Sequence, residues 1–203
     1  MRPLEELLDP VPALPSVTEW AAASIRTVET LPVEAGAGAP NLLALQVSTR
    51  SALGAIAYGT GGILVDHGWL RILGAGSPRL PRSIARWNRL EAPPDRHRLP
   101  GALLVADDVA GGFYAVNGGG LAGPVGHVLY LAPDTGRWEE LAMAHTDWIY
   151  WVFSGDVDKF YASLRWAGWE AEAEALAADR AITIASGSRA SVSIEEAWEL
   201  HAI

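Results

Sequence analysis

The chain has 203 residues, half of them hydrophobic, and it contains no cysteine. A chain of this length buries a sizeable core, and its hydrophobic content excludes a largely disordered protein. The lack of cysteine excludes disulfide scaffolds, thiolate metal sites and cysteine nucleophiles, and it fits a reducing compartment.

The net charge of −9 is placed unevenly along the chain. Residues 1–100 hold ten arginines and nine carboxylates, whereas residues 101–203 hold five basic residues and fifteen carboxylates. The acidic half argues against a general nucleic-acid binder, because phosphate would be repelled. It suits a basic protein partner, and solubility alone is the alternative explanation.

Neither a signal peptide nor a membrane span is expected. The segment 1–10 carries acids inside its only early apolar run, which a secretory signal does not tolerate. No stretch approaches the roughly 18 uninterrupted apolar residues of a spanning helix. We therefore expect a soluble cytoplasmic protein.

Local signals in the first half predict two helices and a hairpin. Ser16 and Glu19 have the spacing of a capping box, which predicts a helix from Ser16 to about Glu29. Ser51 is placed to cap a helix that ends near Gly59. The apolar runs around Asp66-His67-Gly68 predict a β-hairpin over residues 63–73.

A long connection rich in arginine, glycine and proline follows at residues 74–100, with one helical turn predicted over 83–87. Clustered arginines suit an anion or an acidic partner. The alternative is that they pair with the protein's own carboxylates. The sequence leaves the role of this connection open.

Residues 101–141 predict four antiparallel strands that form a meander and the central sheet. Thr146 and Asp156 are the expected caps of two helices that follow, and a further helix is expected from Trp169. A strand at 181–185 precedes a second capping box, Ser193 with Glu196. The predicted fold is a single α+β domain over residues 1–203, with a mainly antiparallel sheet flanked by N- and C-terminal helices.

The motifs of common enzymes are either absent from the sequence or stand in the wrong structural context. Gly118 to Gly123 fits the dinucleotide spacing G-x-G-x-x-G, but Pro124 and another predicted strand follow where the pyrophosphate needs a helix N-terminus. No metal-ligand spacing is matched, and no serine stands at a strand-to-helix elbow. We predict no catalytic residue, no metal ligand and no cofactor.

Carboxylates near the predicted strand ends give a second interpretation. Glycoside-type chemistry needs two carboxylates beside a sugar groove, and tryptophans 69, 87 and 138 are candidates for its floor. Aspartate is also common in turns, where it accepts backbone hydrogen bonds, and tryptophan is usually a core residue. The candidate binding residues are Asp66, Trp69, Asp107, Asp108, Asp134, Trp138, Glu139 and Glu140.

Four stretches carry a resemblance to a known family: SALGAIAYGTGGILVDHGWLRIL at 51–73, LLVADDVAGGFYAVNGG at 103–119, VLYLAPDTGRWEEL at 128–141 and FYASLRWAGWE at 160–170. They resemble an uncharacterised bacterial family described as a domain of unknown function. More distantly, the order of elements resembles the SUKH superfamily. That resemblance implies an α+β domain and an immunity protein that neutralises a toxin by binding it.

Three functional hypotheses follow. The first is a protein-binding module that uses its acidic, tryptophan-bearing sheet surface against a basic toxin domain. The second is a small hydrolase or carbohydrate-binding protein with turn carboxylates beside a tryptophan-lined cleft. The third is a homodimer subunit with the tryptophan-rich region 148–169 as its interface.

Overall fold

A computed structural model describes residues 1–185 and 188–201 and confirms the predicted α+β class. Seven strands form one antiparallel sheet in the order of the chain, so the predicted hairpin and meander are parts of the same sheet. The strands are β1 Val28–Leu31, β2 Gly62–Val65, β3 Leu70–Leu73, β4 Ala102–Asp108, β5 Phe113–Asn117, β6 His127–Ala132 and β7 Arg137–Ala144. A separate two-stranded sheet pairs β8 Arg180–Ala185 with β9 Ser188–Ser193.

Helices cover both faces of the large sheet. They are α1 Leu4–Leu7, α2 Leu14–Ala22, α3 Gly38–Leu45, α4 Ala52–Gly59, α5 Ile84–Trp87, α6 His145–Ser154, α7 Val157–Phe160, α8 Trp169–Ala175 and α9 Ile194–His201, with a 3-10 turn at Pro94–Arg96. Among these described helices, none combines the length and apolar character needed to cross a membrane.

The two faces of the sheet are named by the helices that cover them. Directly paired residues of an antiparallel sheet point to the same side. On the α6 face, Tyr114 packs on Trp148 of α6. On the α9 face, Phe113 lies between Trp87 of α5 and Trp198 of α9. The core therefore has a helical layer on each side of the sheet.

Three predicted helix caps are confirmed. The Ser51 hydroxyl accepts a hydrogen bond from the Gly54 amide at 3.0 Å. Asp156 accepts from the Lys159 amide at 3.0 Å. In the capping box, Ser193 accepts from the Glu196 amide at 3.1 Å and its own amide donates to the Glu196 carboxylate at 2.7 Å. These caps satisfy amides that the first helical turn leaves free.

The prediction of a helix over residues 16–29 is wrong at both ends. The helix begins at Leu14, with Pro15 in its first turn, and ends at Ala22. The Ser24 hydroxyl and the Arg26 guanidinium donate to the carbonyls of the α6 C-terminus, which turns the chain toward the sheet. Residues 28–31 then pair with β2 as an edge strand, although the spacing of apolar residues had predicted a helix as far as Glu29.

The structure also differs from the prediction at two places in the last third of the chain. Thr146 is not a cap, because α6 begins at His145 directly after β7 and has no side-chain cap. The strand β9, which pairs with β8, was not predicted.

The glycine-rich connector between β5 and β6 is organised by Asn117. This buried side chain donates to the carbonyls of Leu121 and Gly123 at 3.0 Å each, and it accepts from the Gly119 amide at 2.8 Å. A strand follows the connector, as predicted. The glycines shape a tight loop around one amide side chain.

Replacing Asn117 with alanine is therefore expected to lower the free energy of unfolding by about 1–3 kcal/mol, because buried backbone groups lose their partner. Urea unfolding measures this change, and hydrogen exchange at the Gly119 amide should become faster. The exposed Val125→Ala in the same loop is the control, with a change expected within about 0.5 kcal/mol. Unchanged exchange at Gly119 would contradict this account of the loop.

The arginine-rich connection at 74–100 is tied to the protein's own carboxylates. Arg98 forms a bidentate pair with Glu195 at 2.9 Å for each contact, and its guanidinium lies 3.8 Å from the ring centre of Trp87. Arg82 pairs with Asp107, and Arg79 with Glu29. The alternative of internal pairing is thus confirmed for these three arginines, and Arg82 and Arg98 are largely buried.

Candidate functional site

The eight candidate binding residues lie in three separate places. Asp66 and Trp69 belong to the turn between β2 and β3, and Asp107 and Asp108 end β4. The other four residues, Asp134, Trp138, Glu139 and Glu140, lie at the turn between β6 and β7 or on β7. The structure does not bring the carboxylates of these three places into one pocket.

Asp66 and Trp69 are held by Arg165. The Arg165 guanidinium forms an ion pair with Asp66 and donates to Asp158 at 2.7 Å. It also lies over the rings of Trp69 and Trp169, at 5.1 and 3.8 Å from their centres. Trp69 is 0% exposed. This cluster stabilises the turn, and Trp69 is a core residue that no partner reaches.

Asp107 lies inside the protein on the α9 face, between two arginines. Its carboxylate is 2.8 Å from Arg71 Nε and 2.5 Å from Arg82 Nη2. Arg71 also donates to the carbonyls of Ala178 and Arg180, which fastens the segment before β8 to the sheet. Burial lowers the pKa of Arg71, and the neighbouring Asp107 opposes that shift.

Asp108 lies inside the protein on the opposite, α6 face. Its carboxylate accepts from the Tyr130 hydroxyl at 2.7 Å and from the Gly112 amide at 2.9 Å. Burial raises the pKa of Asp108, while these two hydrogen bonds work against the rise. The Gly112 contact is the turn bonding that aspartate favours.

These positions correct the prediction for Asp107 and Asp108. Both side chains are 0% exposed, so they cannot belong to an exposed recognition surface. They also point to opposite faces of β4, because adjacent strand residues alternate. The geometry needed for a two-carboxylate hydrolase is therefore lacking at this pair.

The turn between β6 and β7 keeps the remaining candidates near the surface. Asp134, Glu139 and Glu140 are exposed, and Trp138 is partly buried against the core. Glu140 lies 2.9 Å from His127 Nδ1. Their role in binding stays a prediction.

The tryptophan-rich region 148–169 is mostly turned inward. Trp148 is 0% exposed, whereas Tyr150 is 52% exposed. Trp20 of α2 packs edge-on against Tyr150 at 5.4 Å. The homodimer interface stays a prediction, with Tyr150 rather than Trp148 as its accessible aromatic residue.

A cleft that was not predicted lies on the α9 face beside α8. It has a volume of about 470 Å³ and is lined by Leu64, His67, Arg71, Pro78, Arg79, Pro81 and residues 173–179. An adjoining lobe of about 410 Å³ shares part of this lining and adds Thr27, Val28 and Glu29. We call both lobes together the β1–α8 cleft. The volume of each lobe is in the range of small-molecule pockets.

The charged side chains on the α8 wall of this cleft, Glu174 and Asp179, are both acidic. Glu174 has a side-chain exposure of 76% and lies 3.8 Å from the half-buried His67. Asp179 is exposed at the end of the segment after α8. The C-terminal turn of α8 adds the partial negative charge of its carbonyl groups. Arg71 at the base is buried and paired with Asp107, which it shares with Arg82, and its guanidinium also donates to two backbone carbonyls.

The opposite rim of the cleft is formed by an exposed ion pair. Arg79 pairs with Glu29, and their side chains are 59% and 52% exposed. Between the two rims the lining includes the apolar side chains of Leu64, Pro78 and Pro81. The arrangement suits a positively charged group with an apolar stem. Within residues 1–185 and 188–201, no three histidine or carboxylate side chains are placed to hold a metal ion.

Sequence reasoning missed the cleft because its walls are distant in the chain. The glutamates on one side of α8 were visible as a pattern, but the opposite wall needs β1, whose first two residues had been assigned to a helix. Glu29 reaches the cleft only because it pairs with Leu64 across the sheet.

Comparison with known proteins places most of the chain in one family. Residues 4–195 match the family described as a protein of unknown function, DUF2625. The uncharacterized protein YbfG of Escherichia coli (strain K12) is 39% identical over 93% of this chain and 89% of its own length. An uncharacterized protein of Haemophilus influenzae is 37% identical over 87% of this chain and 78% of its own length. No solved structure matches. The chain therefore belongs to the DUF2625 family.

Proposed function

We propose that this chain is a cytoplasmic protein-binding module whose β1–α8 cleft takes a basic segment of a partner protein. The observation that carries the proposal is the charge of the cleft: Glu174 and Asp179 face it, and its buried Arg71 is already paired. Basic side chains lose water on entering such a cleft and regain charge-assisted contacts with the carboxylates. The acidic C-terminal half would also steer a basic partner toward the protein.

The more specific form of this proposal is an immunity protein. Its partner would be a basic toxin domain that is neutralised when the chain binds it. The distant SUKH resemblance supports this form, and a seven-stranded antiparallel sheet with flanking helices is compatible with it. Proteins of this kind need a stable surface and no catalytic residues.

The test compares capture by matched variants. Tagged wild-type chain, Glu174→Arg and Glu170→Arg are used as baits in lysate of the native host. Both variants make the same charge change on α8, but Glu170 does not line the cleft. We expect the wild type and Glu170→Arg to capture the same basic protein, and Glu174→Arg to capture at least about tenfold less, a loss of about 1.4 kcal/mol in binding.

Two further experiments test the electrostatic attraction to the partner and the immunity role. Binding of the purified partner should weaken as salt rises, because the cleft acids are exposed. Co-expression of the wild type, but not of Glu174→Arg, should restore growth of cells that express the partner. Equal capture by both glutamate variants would contradict the proposal for the cleft, and a partner harmless to cells would contradict the immunity role.

A further inference from the structure

The open edge of β1 runs beside the cleft. In an antiparallel strand, alternate residues direct their N–H and C=O groups toward the same neighbour. The Thr27 carbonyl accepts from the Asp66 amide at 2.7 Å, and the Leu31 carbonyl accepts from the Gly61 amide at 2.8 Å. The backbone N–H and C=O groups of residues 27, 29 and 31 therefore point toward β2. Those of Val28 and Thr30 point away from the sheet.

No backbone partner for these outward groups is found within the described ranges 1–185 and 188–201. Thr30 is exposed and Val28 partly exposed. The other edge strand, β7, is less suited to pairing. Its ladder with β6 is irregular, and Ala142 takes a left-handed backbone conformation with φ of 53°. Irregular pairing of this kind protects an edge strand from pairing with a further strand.

Side-chain alternation connects this open edge to the cleft. Glu29 points to the α9 face, as its partner Leu64 does, and both line the cleft. A residue that pairs opposite Glu29 on an added strand would point to the same face, toward the acidic lining. The residues on either side of it would point to the α6 face, beside Val28 and Thr30.

We propose that the partner's basic segment binds as an extended strand on the edge of β1, with alternate arginine or lysine side chains directed into the β1–α8 cleft. This inference rests on the proposed function and names the form of the bound segment. Backbone hydrogen bonds to Val28 and Thr30 would provide affinity, and the alternation of basic and apolar residues would provide specificity.

The probe is a synthetic acetylated peptide amide of sequence Val-Arg-Val-Arg-Val-Arg-Val, titrated into the isotope-labelled full chain and followed by NMR. We expect saturable binding with Kd below about 1 mM, which is the weak end of measurable affinity. The largest shifts are expected at the amides of Val28, Thr30 and Leu64. The charge-matched control peptide has proline in place of every valine, so that it lacks the amides that would donate to the Val28 and Thr30 carbonyls.

The control peptide should bind at least tenfold more weakly to the wild type, a comparison that needs no variant to fold. Thr30→Pro, which removes one outward N–H, should weaken binding of the valine peptide similarly, whereas Thr30→Val should not. Equal binding of the two peptides, with shifts near Glu174 alone, would overturn strand addition and leave the proposed function standing. No binding of either peptide would overturn strand addition, and the capture comparison would then decide the proposed function separately.

Discussion

Replacing Asp107 with asparagine is expected to lower the free energy of unfolding by about 3–5 kcal/mol, the usual cost of removing one partner from a buried ion pair. The carboxylate is fully buried between Arg71 and Arg82, whose side chains are 1% and 9% exposed. Without it, two buried guanidinium groups repel each other and have no counter-charge. The segment before β8, which both arginines fasten, should also loosen.

Urea unfolding at pH 7 measures the effect of this change, and Asp134→Asn is the control. Asp134 is an exposed aspartate, so its replacement should change the stability by no more than about 0.5 kcal/mol. If Asp107→Asn does not fold, the milder Arg82→Met should still show a loss with accelerated hydrogen exchange at residues 178–180. A loss below about 1 kcal/mol for Asp107→Asn would contradict its role as the shared counter-ion.

The second large effect is a loss of stability at acid pH that depends on His145. This residue begins α6 and is 8% exposed, with its ring 5.8 Å from that of Trp148. Burial lowers the pKa of His145 to about 4 from an ordinary value of 6.5. The unfolded chain therefore binds a proton at higher pH than the folded one, so stability is full above pH 6.5 and falls as the pH drops toward 4.

The size of this contribution follows from the shift, at about 3 kcal/mol between pH 7 and pH 4. His145→Leu removes the titrating group and keeps a side chain of similar volume. The variant should lose about 3 kcal/mol less than the wild type over that range, because every other titrating group is shared. Urea unfolding at closely spaced pH values measures the difference. Parallel pH profiles for the two proteins would contradict the assignment.

Three of the five caps expected from local patterns were predicted correctly, whereas Ser16 and Thr146 do not cap a helix. The caps Ser51, Asp156 and Ser193 each depend only on the amide three positions ahead, so the sequence pattern contains the whole interaction. The strands of the meander are joined by two four-residue turns and the glycine-rich connector, and their apolar runs sufficed to identify them. Local signals of this kind do not need knowledge of the tertiary structure.

Features that depend on distant partners were not predictable. β1 is a strand because Val28 pairs with Val65, a residue far along the chain, and its own residues also fit a helix. Asp107 resembles a turn residue in the sequence, and only the folded chain brings Arg82 onto it. The cleft was missed for the same reason, because its rims β1 and α8 are far apart in the chain and meet only in the folded protein.

The most direct test of the proposed cleft is a hydrogen-exchange footprint of the full chain with and without its captured basic partner. We predict slower exchange at the outward amides Val28 and Thr30 and along α8, with little change at the turn between β6 and β7. Protection confined to that turn, around Glu139 and Glu140, would contradict the account and return the binding surface to the sheet edge at β7.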